Sequence, residues 1–154
     1  MGKSASSAGT LLYRRSARGV EVLLVHPGGP FWARRDLGSW SIPKGEFGAD
    51  EEPAAAARRE FSEELGVELV GQLHPLGEIR QKAGKRVVGF ACEGDLDPST
   101  VRSNSFEMEW PPRSGRMQSF PEIDRAEWFD LDTARQKIIP GQTPFLDRLA
   151  SLPV

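Results

Sequence analysis

The sequence predicts an α/β fold, with helices on both sides of a mixed β-sheet. Three observations carry this expectation. Strand-like and helix-like segments alternate along the chain instead of segregating. The 154 residues suit one domain, large enough to bury its own core. No internal repeat or second compositional block divides them.

Residues 1–8 are small and polar, so a flexible N-terminus is expected ahead of a single domain over 9–154. Gly9 to Arg15 and Val20 to His26 read as two strands. Ser16-Ala17-Arg18-Gly19 between them suggests a hairpin turn. Pro27-Gly28-Gly29-Pro30 ends that pattern, and Phe31 to Ser39 reads as a loop with two aromatics and two arginines. Trp40-Ser41-Ile42 looks like a short strand leading into Pro43-Lys44-Gly45.

A helix is expected from Pro53 to Leu65. Pro53 suits its first turn, where a missing N–H costs least. Ala54 to Ala57 favour helix, and Gly66 can end it in the left-handed conformation. Ala54, Ala57, Phe61 and Leu65 follow apolar helical spacing and are read as its core face. Strands are expected near Leu69–His74, Leu76–Gln81 and Arg86–Glu93, with Ala83-Gly84 as a turn. Asp95 to Gln118 lacks periodicity and holds three prolines, so it reads as a long loop or insertion. Ala126 to Asp130 suggests a last strand, and Leu131 to Ile138 and Pro144 to Ser151 suggest helices.

Composition narrows the function. A net charge of −2 offers little to a nucleic-acid backbone, so no nucleic-acid polymer is expected as partner. One cysteine, Cys92, and two histidines, His26 and His74, give neither an internal disulfide nor a zinc constellation. Cys92 is read as a small apolar strand residue, and both histidines, beside prolines at strand ends, as structural. No apolar run is long enough to span a membrane, and the first residues lack an apolar signal core. A cytoplasmic protein, monomeric or homodimeric, is the simplest expectation.

The chemistry concentrates on the helix. Residues three and four apart share a helix face, so Glu60, Glu63 and Glu64 project together. Their mutual repulsion calls for a cation. Arg59, four residues before Glu63, is one candidate, and a hard divalent metal is another. A solvated acidic face is the plain alternative.

Gly45, Glu51, Arg59, Glu60, Phe61, Glu63, Glu64, Gly66 and Val67 fill every fixed position of G-x5-E-x7-R-E-U-x-E-E-x-G-U, where U is bulky and apolar. This resembles the Nudix box. The one mild departure is Phe61, where an aliphatic residue is more usual. The resemblance implies a Nudix-type α/β/α sandwich. It also implies hydrolysis of a diphosphate linkage in a small nucleotide substrate with Mg²⁺, or alternatively Mn²⁺. By that resemblance Glu60 and Glu64 are the main metal ligands, joined by Glu63 and the Gly45 carbonyl. Arg59 positions the carboxylates, and Glu51 supports the loop-to-helix junction. Glu122, outside the box, matches an additional family glutamate that completes the metal site or serves as base.

The flanks bear on substrate. Trp40-Ser41-Ile42-Pro43-Lys44-Gly45 is similar to the W-x-x-P-K-G lead-in of Nudix enzymes acting on dinucleoside polyphosphates and diphosphoinositol polyphosphates. Gln81 to Arg86 resembles the basic hairpin of diadenosine tetraphosphate hydrolases. Lys44, Arg34, Arg35, Arg80, Lys82, Lys85 and Arg86 are therefore candidates for a polyphosphate. Trp32 is a candidate for stacking on a base, and Trp110 and Trp128 are read as packing residues. A dinucleoside polyphosphate such as diadenosine tetraphosphate is the expected substrate. Nucleoside triphosphates, ADP-ribose and diphosphoinositol polyphosphates are the alternatives, and a non-catalytic nucleotide-binding module is a third class. The Phe106 to Phe120 stretch departs from the short diadenosine tetraphosphate hydrolases, which lack so long a segment here.

Overall fold

A computed structural model describes residues 6–81 and 84–153. Among the described residues eight strands and three helices follow one another: β1 Ser6–Ser16, β2 Gly19–Pro27, β3 Lys44–Glu46, α1 Pro53–Leu65, β4 His74–Arg80, β5 Arg86–Glu93, β6 Ser105–Glu109, β7 Met117–Pro121, β8 Ile123–Asp130, α2 Leu131–Lys137 and α3 Thr143–Ala150. The main sheet runs β4-β5-β1-β2-β8, with β3 also paired to β1. β1 and β5 are parallel, while the β1–β2, β2–β8 and β4–β5 pairs are antiparallel, so the sheet is mixed. Among the described residues no helix is long and apolar enough to cross a membrane.

Alternation along the central strands builds two cores. Leu11, Tyr13, Val22 and Leu24 face one side and pack with Ala134, Phe145, Leu146 and Leu149 of α2 and α3. Leu12, Leu23 and Val25 face the other and meet Phe61 and Leu65 of α1. Both faces are covered, which explains why β1 and β2 read as nearly continuous apolar runs. Full burial of a side chain such as Phe61 or Leu65 contributes about 1.5–3 kcal/mol.

Several expectations need correction. β1 starts at Ser6, not Gly9, because its first residues pair with both β3 and β5, and Ala8 is fully buried there. Trp40 and Ser41 make isolated bridges only, and the strand forms at Lys44–Glu46. Leu69–Leu73 is irregular; Arg58 straps this stretch to α1 by donating to the Leu69 and Gly71 carbonyls. Ala57, Phe61 and Leu65 of α1 are buried as expected, but Ala54 lies exposed in the first turn and Ala56 is buried instead, on the neighbouring row. The 95–118 segment is not a plain loop. It contains a 3-10 turn at Pro98–Thr100 and most of a separate two-stranded sheet, β6–β7. Phe106 and Phe120 face each other across that hairpin. The Glu109 carboxylate accepts from the Arg113 and Gly115 amides and closes its tip.

Candidate active site

The expected helix bounds hold at both ends. Pro53 opens α1, and Gly66 caps it at φ 70° with its N–H donating to the Ser62 carbonyl. The buried residues Ala57, Phe61 and Leu65 form one row down the helix. Ala56, Glu60 and Glu64 form the adjacent row. This places Glu60 and Glu64 at the margin of the core, whereas Glu63 sits one row further out and is exposed.

Arg59 organises the acids. Its Nε and Nη2 donate to the two Glu51 carboxylate oxygens, both at 2.8 Å. Its Nη1 donates to Glu60 Oε1 at 2.8 Å and to Glu63 Oε2 at 3.1 Å. The side-chain hydrogen bond to Glu51 leads the causes that raise the guanidinium pKa, and it holds the Glu51 carboxyl below the usual carboxylate range. Glu60 has the opposite balance. Its side chain is only 13% exposed, and burial raises its pKa despite Arg59.

Gly45 lets the β3 backbone lie directly against the Glu60 carboxylate, and an added methyl would displace that side-chain end. The preceding residue completes the junction, its Lys44 N–H donating to Glu64 Oε2 at 3.2 Å. Burial pushes the Glu64 carboxyl up to about 8; the Lys44 amide counters this, while Glu60 and Glu122 add to it. Burial also holds the Lys44 ammonium below the usual amine range, with Glu64 opposing.

Lys44, Glu64, Glu122, Trp32 and Gln81 line one cleft with apolar walls from Val25, Ile42 and Ile139. Four residues expected to act together thus meet there: Lys44, Glu64, Glu122 and Trp32. Glu60 and Glu63 lie on the Arg59 side instead. Arg34 and Arg35 lie outside the lining, with the Arg35 guanidinium 5.6 Å from the Trp32 ring centroid. Arg80 donates to the Gly84 carbonyl, and Arg86 pairs with Glu78 at 2.6 Å. Lys82 lies outside the described residues.

Composition gave no sign of Gln81 or of what fixes the cleft walls. Gln142, fully buried, accepts from the Ile42 N–H and donates to Ser41 Oγ, which steadies the Trp40–Lys44 lead-in. His26 is buried as a structural residue. Its Nδ1 lies 2.8 Å from an Asp124 carboxylate oxygen and its Nε2 2.6 Å from the Arg35 carbonyl. These two contacts tie β8 to the 28–39 loop. Trp128 is partly buried, donates to the Leu96 carbonyl and carries the Arg14 guanidinium 4.2 Å from its ring centroid. Cys92 is buried and free.

Among the described residues, no three acidic, histidine or cysteine side chains already converge on one point. The donor set still fits a hard cation. Glu60 and Glu64 are carboxylates whose charged forms burial disfavours, and neighbouring Glu122 adds to the repulsion on Glu64. Mg²⁺ commonly takes one or two carboxylates and keeps several waters, so it needs no preformed cage.

The NUDIX domain model matches residues 3–149. The chain belongs to the Nudix hydrolase family. RNA pyrophosphohydrolase of Rhodospirillum rubrum is 28% identical to this Nudix chain over 156 residues, spanning 94% of it and 89% of the relative. C. elegans Ap4A hydrolase superposes with a TM-score of 0.63 at 20% identity, covering 97% of this chain and 98% of that one. The NUDIX domain of Shewanella oneidensis NrtR, solved with ADP ribose, gives a TM-score of 0.65 at 15% identity, covering 97% and 88%. At such identities these two likenesses establish the Nudix fold alone.

Proposed function

We propose that the chain is a Mg²⁺-dependent pyrophosphohydrolase of a small nucleotide, with a dinucleoside polyphosphate such as diadenosine tetraphosphate as the leading substrate. The observation that carries this reading is the buried Glu64 carboxyl, raised to about 8, in one cleft with Lys44, Glu122 and Trp32. A carboxyl buried in this way is costly to ionise without a cation beside it, which marks it as a candidate metal ligand.

Glu60 and Glu64 would hold the metal, with Glu63 and the Gly45 carbonyl as further ligands. When bound, Mg²⁺ or Mn²⁺ supplies neutralisation of phosphate oxygens and a more acidic water. The chain's own groups do the rest. Arg59 fixes Glu60 and Glu63 against the loop acid Glu51. Lys44 orients the phosphates, with Arg34, Arg35 and Lys82 as outer cations for a longer polyphosphate. Glu64 or Glu122 accepts the proton of the attacking water. Trp32 stacks on a base. Positioning and charge stabilisation then provide most of the acceleration.

The name of the curated relative supports a second reading, in which the anhydride is carried on RNA. One experiment separates the readings. Diadenosine tetraphosphate, nucleoside triphosphates, ADP-ribose, a diphosphoinositol polyphosphate and a 5′-triphosphorylated oligoribonucleotide are incubated with Mg²⁺ or with chelator, and products are resolved by chromatography. Metal-dependent release of ATP and AMP from diadenosine tetraphosphate supports the leading substrate. Cleavage of the oligoribonucleotide alone moves the substrate to RNA. Retained nucleotide with no turnover of any compound contradicts the hydrolase reading.

A further inference from the structure

The β6–β7 hairpin has no part in the chemistry described above, yet it grips the loop that carries Trp32 at three places. The Phe31 ring meets the Trp110 ring edge-on, 82° between planes and 5.5 Å between centroids. Phe106 packs against Gly29, where an added methyl would lie 2.9 Å from its Cζ and where φ is +96°. The Gly28 N–H donates to the Glu122 carbonyl at 2.9 Å, and any side chain at Gly28 would overlap the Pro121 carbonyl. Phe31 is 62% exposed, so solvent exclusion alone does not explain its orientation. Its neighbour Trp32 turns into the cleft instead.

We infer that the β6–β7 hairpin is a specificity element: through Trp110 and Phe106 it sets the position of Trp32 and so forms the wall of a nucleobase subsite. The inference rests on the hydrolase reading for its substrate and deepens it. The hairpin runs directly into Glu122, so one insertion places both an acid and the aromatic wall. Trp110 is a positioning residue here; Trp32 is the residue that touches the base.

The test uses Trp110→Ala, with Phe31→Ala removing the same contact from the exposed side should the first variant fold poorly. For an adenine-bearing substrate KM rises about tenfold while kcat stays within about twofold, the scale of one stacking contact. Inorganic tripolyphosphate, which has no base, is bound as in the unsubstituted protein. Trp32→Ala added to Trp110→Ala costs little more than either alone, because both act through one contact. Equal losses with and without a base, or fully additive losses, overturn the inference. AMP, which has a base but no anhydride, separates this inference from the hydrolase reading. Weaker AMP binding in both single variants supports the hairpin's role even without turnover. Unchanged AMP binding, or none in the unsubstituted protein, overturns it. Failure of the hydrolase reading shows instead as absent turnover in the unsubstituted protein.

Discussion

The two sides of the cleft are built on different principles. On the α1 side, acids are crowded at fixed helical spacing and held by one arginine that reaches Glu51, Glu60 and Glu63. On the opposite side, Trp32 sits in an irregular loop propped by contacts from residues 26, 106 and 110. The first side is rigid local geometry with frustrated charge, suited to chemistry common to many anhydrides. The second is assembled from distant segments, suited to choosing among them. A substitution on α1 should therefore lower turnover of every substrate alike, whereas one on the wall should discriminate between them.

The sharpest contrast comes from Glu64→Gln. It keeps the volume and the contact with the Lys44 amide, and we expect turnover to fall about a thousandfold on every anhydride the enzyme cleaves. Steady-state kinetics on two unrelated substrates checks this; loss on one substrate only would erase the distinction between the two sides. Arg59→Lys comes next. Lysine cannot reproduce a fork that bonds both Glu51 oxygens and still reaches Glu60 and Glu63. A fall of about a hundredfold in kcat is expected, with substrate preference unchanged.

The smallest effect is on stability, and it has a definite sign. Folding raises the Glu64 pKa from 4.5 to about 8, so the folded chain takes up a proton across that interval. The benefit of a neutral Glu64 is complete below pH 4.5 and is lost as pH rises through 8. Metal-free protein should thus lose stability from this group between those values, by an amount on the order of a few kcal/mol. Glu64→Gln should flatten that slope and raise Tm at pH 8 by about 5 °C in chelator. Thermal scans across the pH series measure it; a variant less stable than the parent at pH 8 would mean that Glu64 is not frustrated.

The same contrast explains what could be read from the sequence. The α1 bounds were legible because Pro53, the alanines and Gly66 act locally, and the acids because helical spacing puts them on neighbouring rows. Ala54 misled because helical spacing does not show where the sheet ends beneath the helix. The β6–β7 hairpin was not legible. Its strands alternate Phe106, Met108 and Phe120 with charged and polar residues over only five positions each, between prolines that read as loop. Its partners Gly28, Gly29 and Phe31 lie some eighty residues away, a distance that no periodicity reports. His26 had the same difficulty, since Asp124 and the Arg35 carbonyl reach it from other parts of the chain.

The central claim is that the α1 carboxylates hold the metal, and Mn²⁺ binding followed by electron paramagnetic resonance tests it without any substrate. The unsubstituted protein and the double variant Glu60→Gln/Glu64→Gln are titrated side by side at pH 8. The account predicts saturable Mn²⁺ binding that the double variant loses while it remains folded. Equal binding by the two proteins would place the metal elsewhere and contradict it.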